Sequence, residues 1–528
     1  MSQSPSLKRQ KLSKNEYSGY IIKPEDKIDE ISKDITPIEF FNEYIKPRKP
    51  VKFNKEYSQN AQTTNEILSN LSKFKFNVLL NTLNYDEELQ LQVEEKFDGG
   101  FGLGKKRINM NIIEIFDELK SGDRDLYLTT QYKVGDHDVN DVDEEAKILD
   151  EEDEEEDDEE EDQQVMYENM SNASSIDMNN LKDDFDEFDE EGDGEVVEEE
   201  DGINLEKEIE HKQRIEELYQ PPLTNLANSS ILPTNPSLIP NLITQQINLW
   251  MGKISTTTKF EINSSKPIES LDRSIPSNGT SSGLHHDHAD NLYILIQGHK
   301  KFTIYSPNDA EKLFTVGDIF KIYHNGLIDY NSDKNLEGSI RDDGALLGEI
   351  LYWKRSKAED PKEIEQLDKL IDKHEEEQKS IREQKSTEEA SSAKDPPSFS
   401  NIPPALLHLD GIKDPKIKEQ LMEFSNKHFP GFLNLNKMSV SLYPGEMLYL
   451  PAGWFHEVSS YGDIVKEQQN TIEQINEESS NIHIALNYWF VPPNNMDFNK
   501  PYKDSYWKED WEVTKKALDG LGKNNMHS

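Results

Sequence analysis

The sequence predicts a mainly β protein with flanking helices, built on a double-stranded β-helix, or jelly roll. The first observation is a series of short stretches in which apolar and polar residues alternate, as at 438–443. The second is that turns rich in Gly and Pro, such as Pro444-Gly445, separate these stretches. The third is that apolar residues recur at helical spacing before and after the strands, as at 109–119 and 505–521.

The expected elements follow in order along the chain. Helical spacing predicts helices at 34–44, 66–74, 109–119, 308–314, 359–389 and 505–521. Alternating or apolar stretches bounded by turns predict strands at 51–53, 75–83, 126–132, 247–254, 438–443, 446–450 and 482–490, and on either side of a tight turn at Gly298.

Composition favours one domain with insertions, although 528 residues could hold more than one domain. Apolar residues make up only 34% of the chain, and the net charge is -46. Residues 136–210 alone hold 37 Asp and Glu against three Lys, and such a segment has too little apolar surface to order itself. We therefore predict a disordered tail at 1–20, a single folded domain at 21–500 and a C-terminal helix at 501–528. Insertions are expected at 136–210 (acidic), 261–280 (polar), 341–400 (charged and helical) and 462–480 (polar).

Several classes of protein are excluded or disfavoured. The chain contains no Cys, which excludes disulfides and thiolate zinc sites and leaves any metal to His and carboxylate ligands. No apolar run approaches the ~20 residues that span a bilayer, so we expect no membrane association. The acidic segment repels nucleic acid, and its two readings are a solvated insertion or a docking surface for basic proteins. Residues 8–11, KRQK, resemble a short nuclear import signal, so we expect a cytoplasmic or nuclear location, or both.

A metal-binding pattern lies at residues 285–290, HHDHAD. In an extended strand His285 and Asp287 point to the same face and can reach a single ion. His456, which ends an aromatic stretch far downstream, is the predicted third ligand. Two His and one carboxylate form the facial triad of non-haem Fe(II) oxygenases, which leaves coordination positions open.

Two His-x-Asp registers overlap here, 285/287 and 288/290. In residues 291–297 the even-numbered side chains are apolar, whereas the odd-numbered ones include Asn291, Tyr293 and Gln297. The odd face therefore lines the cavity, and we assign the site to His285 and Asp287. Two further matches are predicted to be structural, His408-x-Asp410 and His374-x-Glu376.

The segment 281–307, SSGLHHDHADNLYILIQGHKKFTIYSP, resembles the JmjC-type, cupin-like Fe(II)/2-oxoglutarate oxygenases. The resemblance continues in GEMLYLPAGWFHEV at 445–458 and IALNYWF at 484–490, and covers about two thirds of the chain. It is closest to the JmjC-only lysyl hydroxylase branch. It implies Fe(II) as the metal, and 2-oxoglutarate and O₂ as cosubstrates.

The resemblance also implies roles for single residues. Lys300, fifteen residues after the first ligand, would pair with the distal carboxylate of 2-oxoglutarate. The remaining cosubstrate contacts would be Ser282, Asn291, Asn487, Tyr127 and Trp250. Trp250 departs from the family pattern, because a long polar stretch separates it from the first ligand.

Three functions remain open at this stage. The first is hydroxylation of a protein side chain, most simply a lysine of a basic or GTPase-type substrate linked to translation. The second is histone lysine demethylation, which the lack of a Cys-based reader domain disfavours. The third is a non-enzymatic scaffold whose acidic segment binds basic proteins. The C-terminal helix either packs on the barrel or forms a homodimer.

Overall fold

The computed structural model describes residues 14–131, 200–253, 271–330, 339–385, 395–461 and 481–524, apart from short gaps at 33, 55–67, 87, 97–100, 102–106, 228 and 277–278. Its strands are β1 Lys14–Asn15, β2 Asp29–Ile31, β3 Val51–Phe53, β4 Gln90–Glu95, β5 Arg107–Asn111, β6 Leu126–Leu128, β7 Thr244–Lys253, β8 Thr280–Ser281, β9 His285–His286, β10 Asp290–Gln297, β11 His299–Tyr305, β12 Ile319–Ile322, β13 Ile328–Tyr330, β14 Met438–Leu442, β15 Met447–Leu450, β16 Phe455–Tyr461 and β17 Ile482–Phe490. Its α-helices are α1 Pro37–Phe40, α2 Phe76–Leu83, α3 Ile112–Ser121, α4 Glu200–Leu218, α5 Leu347–Lys357, α6 Pro361–Lys385, α7 Pro415–His428 and α8 Tyr506–Asn524.

Two sheets form the body of the protein. The larger has the strand order β2-β3-β15-β10-β17-β7-β6-β4-β5, and the smaller has the order β14-β11-β16-β8, with β9 also paired to β16. The hairpin β10–β11 changes from one sheet to the other at Gly298, whose φ of 83° suits glycine. These crossings between two mostly antiparallel sheets produce the predicted jelly roll.

Strand β10 shows how the core is divided. Its side chains Leu292, Ile294 and Ile296 belong to the cluster that the helices cover on the outer face of the larger sheet. Its alternate side chains Tyr293 and Leu295 belong to a second cluster with residues of β11, β14 and β15, between the two sheets. The period of two therefore separates a helix-covered face from the barrel interior.

Local sequence explains where the flanking helices begin. Thr36 caps α1 and Asn111 caps α3, and in each helix the Glu three residues after the cap completes a capping box.

The predicted strand at 75–83 is wrong, because residues 76–83 form α2. Its buried Leu79 and Leu83 recur at a spacing of four, which buries one helical face against the sheet.

The predicted insertions are partly integrated into the fold. The acidic segment 136–210 overlaps α4, which begins at Glu200, while residues 132–199 lie outside the described residues. Within the segment 341–400, Ile350 of α5 is buried in the main core, so this part of the predicted insertion packs on the body of the protein. The end of the polar stretch 261–280 is also packed, since Ile275 is buried. Residues 1–13 and 462–480 lie outside the described part, and the predicted C-terminal helix corresponds to α8.

In the described part of the chain, none of the helices combines the length and apolar character that crossing a bilayer requires.

Candidate metal centre

Three side chains meet where β9 pairs with β16. The ladder places His285 directly opposite His456, and Asp287 follows β9 by one residue. The ligand atoms of these three residues all lie within 4.8 Å of one another. Nε2 of His456 lies 3.8 Å from Oδ2 of Asp287. The structure therefore brings the three predicted ligands together, although His456 lies near the start of a strand rather than at its end.

Both imidazoles are held in the orientation that suits a metal ligand. Nδ1 of His285 lies 3.0 Å from the carbonyl oxygen of Gly283, and Nδ1 of His456 lies 3.0 Å from that of Trp454. Each Nδ1 therefore carries the proton and donates it, which leaves Nε2 with a lone pair for a cation. Burial, reinforced by the neighbouring His456, holds the pKa of His285 well below its usual value, so this ring is neutral at neutral pH.

The second His-x-Asp pair, His288 and Asp290, lies in the folded core rather than in the cluster. Asp290 is fully buried and accepts hydrogen bonds from the guanidinium of Arg48, from the Tyr449 hydroxyl at 2.6 Å and from the Ala452 amide at 2.9 Å. These donors account for both carboxylate oxygens. Burial lowers the pKa of His288 to about 4, so this ring is also neutral. The chain bends between the two His-x-Asp pairs, which sends Asp290 away from the cluster.

A chain of hydrogen bonds ends on Asp287. Asn291 Nδ2 donates to Asp287 Oδ2 at 3.1 Å, Asn487 Nδ2 donates to Asn291 Oδ1 at 3.4 Å, and Trp250 Nε1 donates to Asn487 Oδ1 at 3.0 Å. Hydrogen bonds thus connect three residues that were expected to bind the cosubstrate. Trp250 is one of them, despite the long polar stretch that separates it from His285 in the sequence. The chain fixes the orientation of the Asp287 carboxylate.

Lys300 lies on β11 inside the barrel and is fully buried. Its Nζ donates to Ser460 Oγ at 2.6 Å and lies 3.4 Å from the Tyr127 hydroxyl. Among the described residues no carboxylate pairs with it, and burial lowers its pKa to about 7. Ser460 and His456 are four residues apart on one face of β16, about 13 Å along the strand. Lys300 and the cluster therefore lie on the same side of the smaller sheet.

Comparison with known proteins agrees with this geometry. The family model described as a cupin-like domain matches residues 37–496. The chain belongs to the cupin-like domain family. It is also 27% identical, over 567 aligned positions, to JmjC domain-containing protein 4 of Schizosaccharomyces pombe, with 96% of this chain and 94% of the relative covered. JmjC and cupin-like proteins are generally Fe(II)/2-oxoglutarate oxygenases. Neither comparison bears on the lysyl hydroxylase branch.

Ser282 has a different environment from the one its predicted role suggests. Its hydroxyl donates to the Gly283 carbonyl at 2.9 Å and accepts from the Val458 amide at 3.1 Å. Thr280 is the residue that lies directly opposite Ser460 in the ladder. Sequence reasoning missed Ser460, although its parity with His456 on one strand could have indicated it.

The side chain of Phe399 covers the His285-Asp287-His456 cluster on one side. The ring of Phe399 stacks on His285 with centroids 4.9 Å apart, and the Arg273 guanidinium lies 5.0 Å from the Phe399 ring centroid. Phe399 was assigned to an insertion, and Arg273 lies in the stretch predicted as a polar loop. Neither has a sequence signal for this role, because the contact depends on the segment after α6 returning to pair with β9.

His408 serves a structural role, in agreement with the interpretation of its motif. Its Nε2 lies 3.0 Å from Glu457 Oε2, and both side chains are buried. Ser281 Oγ and Ser459 Oγ also donate to Glu457, at 2.7 and 2.9 Å. This cluster lies on the face of β16 opposite His456. His374 lies within α6.

Proposed function

We propose that this cupin-like protein is an Fe(II)- and 2-oxoglutarate-dependent protein hydroxylase. The observation that carries the proposal is the pairing of a His-Asp-His cluster with a buried lysine that lacks an anionic partner in the described structure. The cluster offers the donor set of a facial triad, and the lysine offers a charge for a carboxylate. A purely structural role would leave the buried cation without compensation.

Each residue has a definite task in this proposal. His285 and His456 would hold Fe(II) through Nε2, and Asp287 through a carboxylate oxygen. When bound, Fe(II) together with 2-oxoglutarate and O₂ supplies the oxidation of an unactivated C–H bond. The hydrogen bond from Asn291 orients the Asp287 carboxylate, which would then be held in place to bind the metal.

The cosubstrate would be held at its far end by Lys300. Protonated Lys300 supplies a charge-assisted hydrogen bond, and Ser460 and Tyr127 orient its ammonium group. Trp454 is fully buried beside His456 and excludes water from this part of the interior, whereas Phe455 packs on the opposite face of β16. In such a dry site the attraction between ammonium and carboxylate exceeds its value in water.

For the substrate we propose a lysine side chain of a basic protein. The support is the sequence resemblance to lysyl hydroxylases, together with a net charge of -46 that attracts basic partners at long range. Histone lysine demethylation and a scaffold role are the competing outcomes of the test. Hydroxylation adds one oxygen atom to the substrate, demethylation removes a methyl group, and a scaffold leaves its mass unchanged.

The test has two measurements on the full chain. The first is the affinity for Mn(II), and the second is the conversion of 2-oxoglutarate to succinate in the presence of Fe(II) and O₂. His285→Ala, Asp287→Ala and His456→Ala should each abolish succinate formation and weaken Mn(II) binding. His288→Ala is the matched control, because it changes a buried neighbour outside the cluster, and it should keep substantial activity. Loss of activity in His288→Ala with retention in His285→Ala would refute the assignment.

A further inference from the structure

A second buried basic group shares the surroundings of Lys300. His483 lies on β17 with no exposed surface, and within the described structure neither of its ring nitrogens has a hydrogen-bond partner. Buried polar side chains are almost always hydrogen-bonded, so a fully buried imidazole with two idle nitrogens needs an explanation. A ligand that binds at this position would be such an explanation.

The strand ladder places His483 inside the barrel. On β17 it shares its parity with Asn487 of the hydrogen-bond chain, and alternate residues of a strand face the same side. His483 lies opposite Gly252 of β7, and Gly252 lies opposite Tyr127 of β6. A Cβ atom on Gly252 would come 2.9 Å from Cε1 of His483, so glycine is what lets the two rings approach across β7.

Tyr127 connects His483 with Lys300. The rings of Tyr127 and His483 have centroids 5.3 Å apart, and Nζ of Lys300 lies 5.2 Å from the centroid of the Tyr127 ring. Burial and the charge of Lys300 hold the pKa of His483 well below its usual value. The imidazole is therefore neutral in the free protein and offers one N–H donor.

Basic groups dominate the described surroundings of Lys300 and His483. Glu94 lies near Tyr127, but it forms an ion pair with Arg107 at 3.2 Å. In the part of the chain that the structure describes, no carboxylate forms an ion pair with Lys300 or His483. Two buried nitrogen bases without an anion form a site whose polarity matches a carboxylate.

We propose that His483 is a further binding residue for the distal carboxylate of the cosubstrate, donating a ring N–H while Lys300 supplies the charge. This inference rests on the proposed function and assigns a second donor to its cosubstrate pocket. The ligand class is a 2-oxo dicarboxylic acid. His483 then discriminates against 2-oxo acids that carry a methyl group in place of the distal carboxylate.

The experiment is titration calorimetry under anaerobic conditions on the full chain loaded with Mn(II). The two ligands are 2-oxoglutarate and 2-oxopentanoate, which have the same chain length and differ only in the distal group. His483→Phe should weaken 2-oxoglutarate binding about tenfold or more and leave 2-oxopentanoate binding unchanged, because only the former loses a hydrogen bond to a charged group. His483→Gln, which keeps a donor, should recover part of the loss.

His299→Phe provides the matched control. His299 precedes Lys300 on β11, stacks between Tyr443 and Tyr461, and has the opposite parity. Unchanged 2-oxoglutarate affinity in His483→Phe would overturn the inference, as would equal weakening of both ligands. If His483→Phe does not fold, a shift of the His483 imidazole nitrogen resonances on adding 2-oxoglutarate to the wild type tests the contact, and no shift overturns it. Failure of the unsubstituted protein to bind 2-oxoglutarate at all would instead refute the proposed function.

Discussion

The titration of Lys300 gives a quantitative prediction for cosubstrate binding. With a pKa of about 7, Lys300 of the free protein is protonated in more acidic solution and neutral in more alkaline solution. The distal carboxylate of 2-oxoglutarate is ionised across this range and pairs with the protonated amine. Binding must therefore raise the pKa of Lys300, and in alkaline solution the protein takes up a proton as the ligand binds.

The magnitude follows from the protonated fraction. Affinity for 2-oxoglutarate should be nearly constant below about pH 6 and should weaken about tenfold for each pH unit above about pH 7. At about pH 8 only about one lysine in ten is protonated, so binding should take up about 0.9 proton. The decline continues until the pKa of the liganded lysine, which the carboxylate returns toward its ordinary value of 10.5.

The lowered pKa of Lys300 makes the folded state more stable as pH rises, in the same direction as for an acid with a lowered pKa. Between about pH 7 and the unfolded value of about 10.4, the unfolded chain holds the extra proton. The cost of burying Lys300 is therefore complete below about pH 7, on the order of 4 kcal/mol, and fades as pH rises toward the unfolded value. A bound dicarboxylate should offset this cost most strongly in acidic to neutral solution.

The assay is titration calorimetry of the Mn(II)-loaded chain at several pH values, in pairs of buffers with different ionisation enthalpies. 2-Oxopentanoate corrects for titration of the metal ligands, because it shares the chelating end and lacks the distal carboxylate. The ratio of the two affinities should fall with pH in the wild type and be constant in Lys300→Met. A wild-type ratio that does not change between about pH 6 and pH 8 would refute the reasoning.

Three further predictions concern other parts of the molecule. Asn291→Ala removes the donor on Asp287, so Mn(II) affinity by calorimetry should fall about 10- to 100-fold; unchanged affinity would contradict the role of the hydrogen-bond chain. Glu457→Ala leaves the buried His408 without its hydrogen-bond partner, so urea unfolding should show a loss of about 1–3 kcal/mol, and the double variant His408→Ala/Glu457→Ala should cost less than the sum of the two single variants; additive losses would contradict the coupling of these two side chains. Deletion of residues 137–199, which ends before α4, should preserve folding and Mn(II) binding while reducing the salt dependence of the rate on a basic protein substrate; equal salt dependence in the two proteins would reduce the segment to a passive insertion.

The strand pattern could be predicted because a period of two is written directly in the sequence. Residues 482–490 form the predicted strand with the predicted bounds, and the alternation after Asp290 separates the helix-covered core from the interior between the two sheets. Residues 76–83 were misassigned because a short apolar run fits a strand or a buried helix equally well. Their helical state is decided by the face that Leu79 and Leu83 bury.

Only those site residues that belong to a recognisable sequence motif could be predicted. His285, Asp287 and His456 carry residue types and a spacing that indicate a metal. His483 carries no such signal, since a histidine in a strand is common, and Ser460 shows only its shared parity with His456. Their place beside Lys300 comes from pairing between strands that are far apart in the sequence, which no local pattern contains.

This dependence on pairing explains how the site tolerates long additions to the chain. The cluster is defined by the register in which β9 lies against β16, and a slip of one residue would turn His456 away from His285. Residues 462–480 connect β16 in one sheet with β17 in the other, so their length does not enter either ladder. The same is true of residues 254–270, which separate β7 in the larger sheet from β8 in the smaller one. Length added between sheets costs only loop-closure entropy, which grows slowly, whereas length added inside β9 or β16 would separate the predicted ligands.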